Sequence, residues 1–169
     1  MENAIGETMR LTRPLDFVAV TDHAESFGLF EACADSTISE AQIEGCRNFD
    51  RPNLKFFLEL REIGEQRPMI NPLEVNEGKE RARFFANMTW NKIVSIADEH
   101  NEPGIFTAFA AYEYSPVLPD SGKHHRNVIF RNSHVPKNAV SGFEALSEID
   151  LWNMLSEDCK DPCQFLTIP

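Results

Sequence analysis

The side chains in this chain best suited to chemistry are imidazoles and carboxylates at the ends of apolar runs. Asp22 and His23 directly follow LDFVAV and a threonine. An adjacent carboxylate and imidazole offer mixed oxygen and nitrogen donors, a combination that suits zinc, manganese or iron. The same dipeptide after a strand also serves as a turn or a helix N-cap. Glu113, in AAYEYS, sits at the end of a second apolar run. A carboxylate there must be solvated, paired or bound to a cation. His124 and His125 follow about a dozen residues later, where the alternative is a loop pair with no ligand role. If Asp22, His23, Glu113 and His125 meet at one rim, they form a nitrogen and oxygen site without thiolate. In such a site two metals share a carboxylate and turn water into a hydroxide that attacks a phosphoryl or carbonyl centre. The chain contains no GxSxG elbow, no Gly-rich phosphate loop and no HExxH. His100 and His134 fall at a helix end and in a loop, and neither is given a role.

Those residues need elements to carry them. LDFVAV and its threonine read as a short buried strand over 15–21, and FGLFEACADS, 27–36, as one or two helical turns. Residues 37–76 are polar and interrupted by Pro52, Pro68 and Pro72, with a short helix at LKFFLELREIG stopped by Gly64. Phe84, Phe85, Met88, Ile93, Ile96 and Ala97 fall near helical spacing within 78–100, and Asn101 with Pro103–Gly104 ends that helix. Ile105–Tyr112 reads as a strand buried on both faces. A second strand is expected at Arg126–Arg131. If it folds back antiparallel on Ile105–Tyr112, His125 stands beside Glu113; an all-parallel arrangement sends it to the opposite end. SGFEALSEIDLWNMLSED offers Ser141 and Ser147 as caps for one or two helices, and QFLTIP begins a further strand. Strands alternating with helices predict an α/β fold.

Composition narrows the function classes. The chain has 169 residues, enough for one hydrophobic core, and its 42% apolar and 25% charged content is that of a folded globular chain. A formal charge of −11 argues against nucleic-acid binding through a broad basic face. No apolar run approaches the roughly 20 residues that span a bilayer, so no membrane partner is expected. The cysteines fall as Cys33 with Cys46 and Cys159 with Cys163, without the CxxC of a zinc knuckle. Two local disulfides would imply a periplasmic or secreted location. The alternative is four reduced cysteines, two of them filling the core.

RPLDFVAVTDHAESFG, FTAFAAYEYSP, HHRNVIFRN and LWNML with CKDPCQFLTIP, in that order and spacing, resemble the DUF3604 family of uncharacterised bacterial proteins. That family is similar to PHP domains (the polymerase-and-histidinol-phosphatase type) and, more distantly, to the amidohydrolase superfamily. The resemblance implies a partial PHP-like distorted (β/α) barrel over 1–169, with a poorly patterned insertion at about 37–76. By the same resemblance the TDH motif supplies Asp22 and His23 as metal ligands, Glu113 bridges metals and His125 completes the set. Arg126 could orient an anionic substrate, against the plain reading of a surface arginine. PHP-type sites open with an HxH motif, which this chain lacks, and continue after a strand like QFLTIP with His-Asn. The expectation is therefore an internal fragment, incomplete at both ends and inactive alone, of a metal-dependent hydrolase. Its cofactors would be two or more zinc, manganese or iron ions, and its partner a small-molecule substrate. A phosphoester is expected; the alternatives are amide or lactone hydrolysis and a non-catalytic binding module on a degenerate barrel.

Overall fold

The computed structural model describes residues 6, 8, 11–35, 54, 58, 69–71, 73, 74, 78–117, 122 and 124–169. Of the helix expected at 54–64 only Leu54 and Leu58 are described, both helical; the rest of it, most of the insertion at 37–76 and Cys46 lie outside the described residues. Two antiparallel partners organise what carries the site. Strand β3 (Ala111–Tyr114) pairs with β4 (Arg126–Phe130), matching Tyr112 to Val128 and Tyr114 to Arg126. Strand β5 (Phe165–Ile168) adds to the other edge of β4, also antiparallel. Alternation along a pleated strand sends every second side chain to one face. Tyr112, Tyr114, Val128 and Phe130 accordingly share the core side and are fully buried.

That face is covered by two helices, α2 (Lys79–His100) and α3 (Glu148–Asp158). From α2, Trp90 stands edge-on to Tyr112 with ring centroids 5.5 Å apart, and its indole N–H donates to the Pro136 carbonyl at 2.9 Å. From α3, Leu151 and Leu155 are buried in the same cluster. Both tyrosine hydroxyls, which burial would otherwise leave costly, have partners. Tyr114 donates to the Ala145 carbonyl at 2.9 Å, and Tyr112 accepts from the Val140 N–H at 3.2 Å. Burial raises both phenol pKa values above the ordinary range, so they remain neutral.

The apolar run after residue 104 departs from the single buried strand expected at Ile105–Tyr112. Ile105 is exposed, and the chain changes partners at Ala110. Before it, β2 (Thr107–Phe109) runs parallel to β1 (Phe17–Ala19), with Phe17 matched to Thr107. After it, β3 joins the antiparallel sheet. Strand β1 is shorter than the expected 15–21, and Leu15, Phe17 and Val20 are exposed. The helix expected at 27–36 is α1 (Leu29–Ala34), and α2 ends before Asn101 as its sequence predicts. Ser147 caps α3 by accepting the Asp150 N–H, whereas Ser141 bonds Glu144 within a turn, so the segment holds one helix. The class is α/β, as expected, but the described strands form a two-stranded and a three-stranded sheet, neither of which closes.

Candidate metal centre

His23 and Glu113 are brought together by backbone. Just beyond β1 the chain meets β3: the Glu113 N–H donates to the Asp22 carbonyl at 2.9 Å, and His23 and Glu113 form a parallel bridge. Glu113 lies inside β3, not beyond a finished strand as its sequence suggested. Its neighbours Tyr112 and Tyr114 point into the core, so alternation puts its side chain on the opposite face, half-buried. The antiparallel return of β4 does what the hairpin reading expected and delivers His125 beside it.

Glu113 then faces one imidazole with each oxygen. Its Oε2 is 3.2 Å from His23 Nε2, and its Oε1 is 3.2 Å from His125 Nδ1. The two rings meet edge to face with centroids 5.5 Å apart. One donor atom from each of the three residues lies within 4.8 Å of the others. Donors held at bonds of about 2.0–2.2 Å around a tetrahedral ion are separated by about 3.3 Å; each contact alone has that length, but the two run to different oxygens of Glu113 and so are not two edges of one site. Two imidazoles and one carboxylate also form a set that holds catalytic zinc while leaving a position open. The residues present therefore fit a divalent ion. The histidine side chains are 50% and 40% exposed, which leaves the cluster open to a reactant.

Two further residues complete the surroundings, and neither was given a role from sequence. Ser115 is buried, and its hydroxyl is 2.8 Å from the same His125 Nδ1 that faces Glu113. A serine nucleophile relay needs the base and its orienting carboxylate on different ring nitrogens, so this contact orients the ring and does not form a triad. Glu25 belongs to a short 3-10 turn, Ala24–Ser26, which directly follows His23. Its Oε1 accepts the backbone N–H groups of Ser115 at 3.1 Å and Gly142 at 2.7 Å. Its Oε2 is buried, has no hydrogen-bond partner among the described residues, and lies 3.9 Å from His23 Nδ1. Burial pushes the Glu25 carboxyl above the usual range, against the two backbone N–H bonds that favour the carboxylate. The signal available in sequence was an acidic residue between Ala24 and Phe27, both buried, in TDHAESFG.

Of the residues singled out by sequence, His23, Glu113 and His125 converge. Asp22 does not join them by its side chain, which is exposed; its part is the carbonyl that receives the Glu113 N–H. Arg126 lies next to His125, but its guanidinium is engaged by Glu148 at 2.5 Å and by the His125 carbonyl at 2.8 Å. His124 meets the same Glu148 oxygen at 3.0 Å. These contacts tie the start of β4 to the first turn of α3 and hold His125 in place. His100 bonds the Ile96 carbonyl at the end of α2, and His134 is an exposed loop residue. No curated protein and no solved structure matches the chain. The family comparison covers it from end to end: over residues 1–169 it matches DUF3604, described as a protein of unknown function, and the chain belongs to that family.

Proposed function

We propose that His23, Glu113 and His125 are ligands in a divalent-metal centre of a hydrolase, carried on part of a PHP-like distorted (β/α) barrel, with a phosphoester as substrate. The observation that carries this reading is the convergence of two imidazoles on the two oxygens of one half-buried carboxylate. Zinc, manganese and iron all suit these donors. A bound divalent ion would supply water activation near neutral pH and polarisation of a phosphoryl or carbonyl oxygen. Glu113 presents one oxygen to each histidine, the disposition of a carboxylate shared between two cations. The backbone bond to Asp22 sets how far Glu113 reaches, and an ion bound at His125 Nδ1 would displace the Ser115 hydroxyl that now bonds that nitrogen. The barrel reading draws on an open apolar groove of about 500 Å³ lined from both sheets, including Phe17, Phe109, Phe165 and Leu166, of which Phe17 and Leu166 are exposed.

A second reading, amide or lactone hydrolysis at the same centre, is favoured by charge. Arg126, the cation next to His125, is neutralised by Glu148, and the chain carries a net charge of −11. Both features welcome a neutral carbonyl substrate more readily than a phosphoester anion. The disulfide between Cys159 and Cys163 supports a location in an oxidising compartment.

Elemental mass spectrometry of the chelator-treated and then metal-reconstituted protein tests the metal reading. One or more transition-metal ions per chain are expected, with hydrolysis of an aryl phosphodiester or an aryl lactone then separating the two substrate classes. A folded protein that takes up no metal after reconstitution would sink the hydrolase.

A further inference from the structure

Glu25 has a divided carboxylate. One oxygen is held by two backbone N–H groups, from the end of β3 and from the segment before α3. The other is buried, lacks a partner among the described residues and faces the outer nitrogen of His23. A buried carboxylate oxygen without a hydrogen bond is costly, so this one calls for a donor. The group facing it is an imidazole whose opposite nitrogen already points at Glu113. The half-exposed His23 ring needs only a small rotation to shorten 3.9 Å to a hydrogen bond.

Resting on the metal reading above, we propose that Glu25 is the positioning residue of His23. It accepts a hydrogen bond from Nδ1–H and so leaves Nε2 unprotonated and aimed at the metal position beside Glu113. Imidazole ligands commonly donate their second N–H to a carboxylate in this way, which fixes the ring, selects the tautomer and raises ligand basicity. The cradle of Ser115 and Gly142 gives Glu25 a second consequence. Because the Ser115 hydroxyl also touches His125, one carboxylate holds backbone next to both histidines.

Glu25→Gln separates this role from a structural one. The amide oxygen still accepts from Ser115 and Gly142, so the cradle survives. Its –NH₂ group then faces His23 Nδ1 and, being a donor, favours the Nε2–H tautomer, which cannot ligate through Nε2. Zinc affinity is measured by competition with a chromophoric chelator on the 169-residue chain. Wild type is expected to bind zinc, and Glu25→Gln to bind about 10–100-fold more weakly with an unchanged unfolding midpoint. Equal zinc affinity in the two proteins overturns the role of Glu25 while leaving the metal site standing. Absence of zinc binding in wild type overturns both. Should Glu25→Gln fail to fold, nitrogen-15 spectra of the zinc-loaded wild type decide instead. A His23 Nδ1–H signal in slow exchange with water upholds the inference, and one that exchanges freely overturns it.

Discussion

At the scale of single residues, the centre depends on which atoms of a residue contribute. Glu113 offers both carboxylate oxygens, whereas Asp22 offers its backbone carbonyl. Substitutions should separate these contributions. Glu113→Ala removes the group common to both histidine contacts, and stoichiometric zinc binding should be lost. Asp22→Ala keeps the carbonyl that accepts the Glu113 N–H, and its zinc affinity should stay close to wild type. Isothermal titration of both variants checks this, and a large loss in Asp22→Ala would show that its exposed side chain turns inward as a ligand. Two features of this site were open in sequence: an Asp–His pair after an apolar run, and a hairpin return bringing His125 to Glu113. Glu25 and Ser115 were not, because an acidic residue between apolar neighbours does not show that its carboxylate will be buried against backbone N–H groups.

At the scale of elements, the turn that follows His23 is held by the seat of α1 on α2. Gly28, the residue before α1, has φ +87°, and a Cβ there would stand 2.6 Å from the Ala86 nitrogen and 2.7 Å from the Phe85 carbonyl carbon. Its own N–H donates to the Thr89 hydroxyl at 2.9 Å. Both the left-handed backbone and the close approach require glycine. The left-handed conformation costs a side-chain-bearing residue about 1–2 kcal/mol, and forcing atoms into a filled contact adds about 1–3 kcal/mol. Gly28→Ala should therefore destabilise the fold by roughly 3 kcal/mol, read by urea unfolding. A change within 0.5 kcal/mol would mean that the two helices separate without cost. The helix over 78–100 was legible because its apolar spacing and its Pro-Gly stop are local features. The break at Ala110 was not, because FTAFAAY is apolar throughout and a change of pairing partner leaves no mark on such a run.

At the scale of the whole molecule, the Cys159–Cys163 disulfide closes the connection between α3 and β5, with a Cα–Cα distance of 5.1 Å. Cys33 is also disulfide-bonded. A loop this short constrains the unfolded chain modestly, by about 2 kcal/mol on the chain-entropy relation. The double substitution Cys159→Ser with Cys163→Ser should lower the unfolding free energy by about that amount. Mass spectrometry of non-reduced peptides should find the two cysteines linked in protein from its native compartment. Free thiols there would remove the support for an exported location. No helix among the described residues is long and apolar enough to cross a membrane.

What the sequence determined by itself is what local chemistry can encode: the α/β class, the start and stop of α2, the Ser147 cap, and the residue types able to hold a metal. It also carried the family, through motifs spread along nearly the whole chain. The tertiary structure decided the rest, for one physical reason. Pairing partners and burial are properties of segments distant in sequence, and no local pattern specifies them. Hence β1 reads as buried yet has exposed apolar side chains, and one apolar run serves two sheets. By the same logic Arg126 is neutralised by a helix 22 residues away, and a carboxylate ordinary in sequence becomes the buried neighbour of His23.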